Sequence, residues 1–315
     1  MSASTFGKDV EEGLSKQPKQ LSSKYFYDEL GDELFREIMG LDEYYLTRSE
    51  KSIFHEKKER ITRVLTNKQP MRLIELGAGD GAKTKVLLKY FVEKGIDFSY
   101  APIDISSNVL EILKGDIHSE IPQLKVEPVA GDYFKVLSDF KLKNGQRNVV
   151  FFLGANIGNF RDQLIMEFLS GLHNNLKGGD LVMIGFDLKK DPRTILNAYN
   201  DAKGVTAKFN LNLLHRINKE LGGSFDLDHF FHFPTYDPVS GECRSHLVSK
   251  IEQKVFIKRI GKTFHFKAWE PIFMEVSRKF DVESITRFAV ESGFSVVENI
   301  FDKQKMFCES IWEVS

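Results

Sequence analysis

The sequence has few of the features that mark secreted, membrane-bound or metal-binding proteins. Two of its 315 residues are cysteine, and Cys243 and Cys308 stand in unrelated contexts, which argues against a disulfide framework. No apolar run reaches the roughly 18 residues of a membrane-spanning helix, and the polar N-terminal stretch has no signal-peptide core. We therefore expect a protein of the reducing cytoplasm that does not enter a membrane.

An excess of either charge is also absent. Lys and Arg number 44 and Asp and Glu number 45, so the formal net charge is −1. This balance provides no electrostatic basis for binding nucleic acid or an anionic membrane. His229 and His232 have i, i+3 spacing, but no further His or Cys pair stands nearby, so we expect no metal site. A small-molecule substrate and a monomeric chain remain the expectation.

Aromatic residues, in contrast, are abundant and locally dense. The chain contains 27 phenylalanines, and residues 25–45 hold four tyrosines and two phenylalanines. This segment is either a helical cap packed on the core or part of a cage for an amine or its charged product. Composition alone favours the cap. Asp32 is the predicted N-cap of the amphipathic helix in this segment.

The stretch around residues 71–94 organises the chain. Leu73 to Leu76 is predicted to be a buried strand that carries one acid, Glu75. A turn with three glycines follows at once: Gly77, Gly79 and Gly81. Lys83 to Lys94 then has the apolar periodicity of a helix. A strand, a tight glycine turn and a helix open a parallel α/β sheet, and the glycines let a ligand approach the backbone closely.

Acids after the next two strands indicate what the turn binds. The glycine spacing differs from the G-x-G-x-x-G of dehydrogenases. Asp104 ends the strand-like run 98–103, where a carboxylate can accept hydrogen bonds from two ribose hydroxyls, and Asp132 follows the next strand, where it can meet an adenine amino group. This succession resembles the class I methyltransferases that bind S-adenosylmethionine. The alternative is an ordinary βα turn with incidental surface acids.

Residues 71–190 alternate between strand and helix. Strands are predicted near 71–76, 98–103, 125–130, 148–153 and 180–187, and helices near 82–94, 106–120, 134–141 and 161–177. A helix near 48–65 precedes them. After Asp187 come two helices and a strand-rich segment (224–275), then a helix (281–293) and an antiparallel hairpin (294–300 and 305–314).

This order predicts an α/β fold, namely a class I methyltransferase Rossmann-like sheet with a second lobe. We expect residues 1–60 and 190–276 to form the substrate-binding lobe. We expect residues 61–189 and 277–315 to form the S-adenosylmethionine-binding domain. Ligands of such sheets bind outside the carboxyl ends of the strands, so Gly154 and Asn159, which follow the fourth strand, are candidate site residues. Asn159 either hydrogen-bonds a substrate carboxylate or merely caps the turn.

Several longer motifs resemble one branch of the methyltransferases. They are KYFYDELGDELF, EYYLTR, ELGAGDGAKT, PIDIS, GANIGNF, DPRTILNAYNDAKGVTAKFN and EVSRKF. Together they resemble the histidine Nα-methyltransferases of the ergothioneine pathway, which make trimethylhistidine, and the resemblance runs from about Leu21 to Val314. It implies S-adenosylmethionine-dependent Nα-methylation of L-histidine, up to trimethylhistidine, as the first step of ergothioneine synthesis.

The resemblance also implies roles for individual residues. The residues that match those holding the amino acid's amine and carboxylate are Tyr44, Gly154, Asn159 and Tyr199. Tyr27 and Phe35 match aromatic residues close to the methylated amine, and with Asn159 they form the predicted catalytic set. Glu275 and Ser277 match the pair that binds the imidazole. The residues that match the cofactor site are Gly77, Lys83, Asp104, Asp132 and Tyr133, and the motif adds Glu75 and Gly79.

One position departs from the family pattern. A methionine that packs near the imidazole in the family falls at about Ser245 here, which would make the pocket wall smaller and more polar. The alternative function is therefore N-methylation of another amino acid or small amine. Relatives that act on indole amino acids do not need the Glu275–Ser277 pair, which favours histidine. A third hypothesis is a non-enzymatic module that only holds the nucleoside, against which the acids at 75, 104 and 132 argue.

Overall fold

The structure of the protein is a computed structural model that describes residues 5–66, 69–131, 136 and 146–315. Contacts within the chain divide it into two compact units. The first unit contains Met1–Tyr45 and Lys190–Arg278, and the second contains Leu46–Lys189 and Lys279–Ser315. The chain up to Tyr45 and the long insertion thus belong to one unit, and the predicted alternating α/β segment belongs to the other.

The elements follow one another along the described chain. The helices are α1 (Thr5–Ser15), α2 (Glu29–Met39), α3 (Tyr45–Glu56), α4 (Lys58–Leu65), α5 (Thr84–Glu93), α6 (Ser107–Glu120), α7 (Asp162–Asn175), α8 (Pro192–Ala198), α9 (Val205–Leu221) and α10 (Val282–Glu291). The strands are β1 (Lys19–Gln20), β2 (Met71–Leu76), β3 (Phe98–Asp104), β4 (Val129–Ala130), β5 (Arg147–Phe152), β6 (Leu181–Asp187), β7 (Phe230–Asp237), β8 (Glu242–Ser249), β9 (Gln253–Ile257), β10 (Lys262–Phe266), β11 (Pro271–Arg278), β12 (Phe294–Phe301) and β13 (Phe307–Val314). Short 3-10 turns lie at Ser23–Tyr25, Asn156–Asn159 and Leu227–His229.

The second unit is built on a seven-stranded sheet. Its strand order is β12-β13-β6-β5-β2-β3-β4. The strands from β6 to β4 run parallel, whereas β13 is antiparallel to both β6 and β12. All six residues of the central strand β2 are buried, as expected for a parallel strand covered on both faces. The predicted α/β class and the antiparallel hairpin at the C-terminus are confirmed.

Helices α7 and α10 contribute to the core of this unit. Phe168 and Leu172 of α7 and Phe288 of α10 belong to one cluster with side chains of the central strands. A fully buried ion pair lies in the same unit, where Lys279 Nζ and Asp187 Oδ2 are 2.8 Å apart and both side chains are inaccessible to solvent. The two residues stand where the chain leaves this unit and re-enters it.

The first unit has its own sheet and core. Strands β11, β8 and β7 pair antiparallel, β1 adds to β11 in parallel, and β9 and β10 form a separate hairpin. Phe209, Leu213 and Ile217 of α9 lie in one apolar cluster with Leu247 of β8 and Met274 of β11. The prediction of a strand-rich insertion is thus confirmed. None of the helices in the described part of the chain is both long and apolar enough to cross a bilayer.

The helices near the N-terminus differ from prediction in two details. Helix α2 begins earlier than expected, because Asp28 rather than Asp32 is its N-cap and accepts a hydrogen bond from Gly31 N. The helix predicted over 48–65 is two helices, since Lys57 leaves helical geometry with φ −114° and ψ 9°.

The strands and boundaries show two further differences. The predicted strand 125–130 is interrupted: Val126 forms an isolated parallel bridge with Tyr100 of β3, and strand β4 itself contains only Val129 and Ala130. Pro128, which has no N–H to donate to a neighbouring strand, lies between the two. Residues 46–60 belong to the second unit, in which Glu50 contacts Lys83 and Gly154. The helix predicted over 134–141 lies outside the described residues apart from Val136.

Candidate active site

The glycine turn after β2 is closed by an acid from β3. Gly77 and Gly79 have φ values of 69° and 53°, which glycine adopts without the strain a Cβ would bring. Asp104 accepts hydrogen bonds from Gly79 N at 3.1 Å and from Ser106 N at 3.0 Å. Within the described residues, a Cβ at Gly79 would meet no atom within 4 Å, and one at Gly77 would meet only Asn156 Nδ2 at 3.8 Å. The turn therefore has open space beside it and a carboxylate at its side.

Glu75 is on β2, two residues before the first glycine of this turn, and its side chain is buried. Its carboxyl accepts a hydrogen bond from Thr84 Oγ1 at 2.7 Å and another from the Tyr100 hydroxyl. Burial raises the pKa of Glu75 to about 7, against the lowering effect of these two hydrogen bonds. The contacts join β2 to α5 and β3. A direct contact between Glu75 and a cofactor stays a prediction.

Lys83 and Gly154 are brought together by a residue that sequence reasoning missed, Glu50 of α3. Glu50 accepts hydrogen bonds from Lys83 Nζ at 2.5 Å and from Gly154 N at 2.6 Å. Burial opposes charge on Lys83, but the nearby Glu50 carboxylate outweighs it and raises the Lys83 pKa. Lys83 is therefore an ammonium at neutral pH. Glu50 and Lys83 are 33 residues apart, so no local pattern could have paired them.

The turn after β5 carries the two asparagines of GANIGNF. Gly154 has φ 75°, and a Cβ there would lie 3.3 Å from Lys83 Nζ and 3.5 Å from Asn156 Nδ2. Asn156 was not a predicted site residue, yet its amide faces both glycine turns. Asn159 ends the 3-10 turn and is exposed. The predicted cofactor residues Asp132 and Tyr133 lie outside the described residues.

Four predicted site residues form a row of rings in the first unit. Ring centroids are 5.5 Å apart for Tyr27 and Phe35, 6.4 Å for Phe35 and Tyr44, and 6.3 Å for Tyr44 and Tyr199. Phe209 of α9, which was not predicted, packs against both Tyr27 and Phe35 at 5.7 and 5.8 Å. Phe35 and Tyr44 pack against the core of this unit, whereas Tyr27 is 45% exposed and its ring stays accessible.

The imidazole-binding residues predicted on β11 lie next to this row. Tyr199 OH donates to Ser277 Oγ at 2.8 Å. Glu275 and Ser277 are two residues apart on a strand and therefore share a face. Ser245 of β8 is the cross-strand partner of Glu275 and is buried. The structure thus brings the predicted Glu275, Ser277, Tyr199 and Ser245 into one group.

Two electrostatic features define this group. His232, another residue not predicted for the site, has Nε2 at 2.9 Å from the Tyr199 carbonyl. Burial lowers the pKa of His232, so a neutral ring donates from Nε2 and holds Tyr199. The protein removes the Tyr27 phenol from water, and this is the main reason that the pKa of Tyr27 lies well above its usual value. The charge of Glu275 raises the pKa further. Tyr27 is therefore a neutral phenol. Among the described residues, no group of three or more His, Cys, Asp or Glu could hold a metal ion.

The sheet order, the glycine turn after its central strand and the acid that ends the next strand define a class I S-adenosylmethionine-dependent methyltransferase. Comparison with known sequences gives the family. The chain belongs to the histidine-specific, S-adenosylmethionine-dependent methyltransferases, whose profile matches residues 6–314.

Several known proteins are similar over most of the chain. The histidine N-alpha-methyltransferase of Mycolicibacterium smegmatis is 35% identical over 92% of this chain and 89% of its own length. The enzyme of the same name from Mycobacterium tuberculosis is 35% identical over 88% of this chain and 85% of its own. Ergothioneine biosynthesis protein 1 of Schizosaccharomyces pombe is 32% identical over 88% of this chain but only 37% of its own length.

Proposed function

We propose that this protein methylates the α-nitrogen of L-histidine with S-adenosylmethionine, up to trimethylhistidine, as the first step of ergothioneine biosynthesis. The observation that carries the proposal is the group on β11, where Glu275 and Ser277 share a face and Tyr199 donates to Ser277. Membership of the histidine-specific family supports the same substrate. The names of the relatives support the pathway.

The second unit has residues suited to the cofactor. When bound, S-adenosylmethionine supplies an electrophilic sulfonium methyl group. In this proposal the Lys83 ammonium pairs with the carboxylate of S-adenosylmethionine, and Asp104 accepts hydrogen bonds from the ribose hydroxyls of the same cofactor. The open space beside Gly77 and Gly79 lets the ligand approach the backbone. Asp132 and Tyr133 complete the set by resemblance.

The first unit has groups that match both nitrogens of an imidazole. Glu275 accepts a hydrogen bond from the ring N–H, and the Ser277 hydroxyl pairs with the other nitrogen. Tyr199 fixes the orientation of Ser277, and His232 fixes the backbone of Tyr199. A substrate that lacks both nitrogens loses the hydrogen bonds to the Glu275 carboxylate and the Ser277 hydroxyl, and such a loss costs about 1–3 kcal/mol.

The aromatic row suits an amine that gains positive charge. The faces of Tyr27, Phe35 and Tyr44 stabilise a quaternary ammonium by about 0.5–2 kcal/mol each. The α-ammonium must lose its proton before each transfer. Tyr27 is a neutral phenol, so its hydroxyl serves as a hydrogen-bonding group and not as a charged base. We assign the amine and carboxylate to Tyr44, Tyr199, Gly154 and Asn159, as the resemblance implies.

One observation supports a second candidate, the N-methylation of a different amine. Ser245 lies directly across from Glu275 on the neighbouring strand. A small hydroxyl side chain at this position leaves more space and one more polar group than the methionine of the family pattern. A side chain larger than imidazole would then be accepted.

Mass spectrometry of histidine incubated with the protein and S-adenosylmethionine tests the proposal. We expect mass gains of one, two and three methyl groups, with fragments that place them on the α-nitrogen. No gain, with cofactor binding shown separately by calorimetry, would reject histidine as the substrate. A panel of amines would then test the candidate based on Ser245.

We further propose that the protein acts as a cytoplasmic monomer without nucleic acid. Neither cysteine forms a disulfide in the described part of the chain, which fits a reducing compartment. The balanced net charge of −1 supports the lack of a nucleic-acid partner. Light scattering on the purified protein should give the mass of one chain, 36.2 kDa, and a larger mass would reject the monomer.

A further inference from the structure

A buried carboxylate supports the turns of the cofactor site. Glu50 is 1% exposed, and its two oxygens bind different parts of the site. One accepts from the Lys83 ammonium, which follows the turn after β2, and the other accepts from the Gly154 amide after β5. Glu50 therefore joins the carboxyl ends of two neighbouring parallel strands through a single side chain.

A second buried acid lies behind Glu50. Glu309 of β13 is fully buried, and its carboxyl lies close enough to that of Glu50 for the charge of Glu50 to act on it. Gly185 of β6 is the cross-strand partner of Glu309. A Cβ at Gly185 would lie 3.2 Å from Glu50 Oε1, so the absence of a side chain at this position leaves room for the Glu50 carboxylate.

Burial and the neighbouring charges determine whether the Glu309 carboxyl carries a proton. Neither of its oxygens receives a hydrogen bond from another group in the described part of the chain, and an ionised buried carboxylate without donors is costly. Burial, then the charge of Glu50, raise the pKa of Glu309 well above its usual value, and the charge of Glu75 adds to this, while Lys83 opposes it. A proton on Glu309 removes the repulsion and supplies a donor to Glu50.

We propose that Glu50 and a neutral Glu309 are positioning residues for the cofactor, because Glu50 orients Lys83 and the Gly154 turn while Glu309 supports Glu50 through a shared proton. This inference rests on the proposed function only in taking Lys83 and Gly154 as cofactor-site residues. It assigns to Glu50 no contact with cofactor or amine. The cluster then balances one carboxylate against one ammonium.

The contact with Lys83 is tested by binding in the absence of histidine. The dissociation constant of S-adenosylhomocysteine is measured by calorimetry for the wild type, Glu50→Gln, Lys83→Met and the double variant. The amide introduced by Glu50→Gln keeps an oxygen for the Gly154 N–H but loses the charge that faces Lys83. We expect each single variant to bind about tenfold more weakly, a change of about 1.4 kcal/mol. The double variant should bind no more weakly than Lys83→Met, because the two residues act as one unit.

The state of Glu309 is tested by two substitutions. Glu309→Leu removes the donor to Glu50, and we expect about tenfold weaker binding without a loss of thermal stability. Glu309→Gln is neutral and keeps a donor, so it should restore most of the affinity that Glu309→Leu loses. The matched control is Glu298→Gln on β12, which removes a carboxylate that pairs with Arg60 of α4. This variant should bind like the wild type.

Several results would overturn the inference. The first is a Glu50→Gln variant that binds S-adenosylhomocysteine as tightly as the wild type does. The second is a double variant that binds about tenfold more weakly than Lys83→Met. The third is a tenfold loss of affinity in Glu309→Gln. If Glu309→Leu does not fold, Glu309→Gln decides alone. If Glu50→Gln does not fold, Glu50→Asp, which withdraws the carboxylate by one methylene, should show the same loss. Normal cofactor affinities without histidine methylation would instead reject the proposed substrate.

Discussion

Glu75→Gln should change how the stability of the protein depends on pH. The Glu75 carboxyl is buried between Thr84 and Tyr100, and burial raises its pKa from 4.5 to about 7. Between these two values the folded chain binds a proton at Glu75 that the unfolded chain has lost. Stability from this residue is therefore present below pH 4.5 and falls as the pH rises to about 7. The difference between the two pKa values corresponds to about 3 kcal/mol.

The assay is urea unfolding followed by circular dichroism at pH values from 4 to 8.5. The glutamine side chain of the Glu75→Gln variant has nearly the same shape as glutamate and still offers an oxygen, but it cannot ionise. We expect the wild type to lose about 3 kcal/mol more than Glu75→Gln over this range. Acids that do not interact with Glu75 contribute equally to both proteins and cancel in the difference. Parallel stability curves for the two proteins would refute the reasoning.

Three further predictions concern binding and stability. Glu275→Ala should lower kcat/KM for histidine about a hundredfold, since a charged hydrogen bond contributes about 1.5–3 kcal/mol. Calorimetry should show unchanged cofactor affinity in this variant. Equal losses of kcat/KM and of cofactor affinity would contradict the role of Glu275. Asp104→Ala should weaken S-adenosylmethionine binding about tenfold, as expected for lost hydrogen bonds to hydroxyls, and unchanged binding would remove Asp104 from the cofactor site. Lys279→Met removes the ammonium that faces the fully buried Asp187 and should lower the free energy of unfolding by about 3–5 kcal/mol. A shift in urea midpoint worth less than about 1 kcal/mol would show that Asp187 is stabilised by other groups.

Local patterns were enough to predict the framework of the cofactor domain. Strand β2 has the predicted bounds 71–76, and α5, β3 and α6 lie within one or two residues of prediction. These elements are determined by short-range properties, namely apolar periodicity and a turn that only glycine adopts without strain. The acid at the end of β3 and the terminal hairpin follow from the same reasoning.

Choices between neighbouring polar residues were harder to predict. Asp28 and Asp32 are both good N-cap residues. In the structure Asp28 is the cap, and its carboxylate also accepts a hydrogen bond from Asn212 of the distant helix α9. Only the tertiary structure shows how the aromatic segment packs, since the ring of Phe209 from a distant helix lies against Tyr27 and Phe35. The segment both packs on the core and leaves Tyr27 accessible.

The class of fold and the order of its elements could be predicted from the sequence, because they depend on periodicity and on motifs of adjacent residues. The candidate residues for a nucleoside, an amine and an imidazole came from motifs shared with the family, and their roles stay predictions. Only the tertiary structure showed that Glu50 holds Lys83 and Gly154 together, and that Ser245 faces Glu275. The raised pKa values of Glu75 and Glu309 also arise there. Partners distant in the chain, strand register and burial are consequences of packing, and no local pattern encodes them.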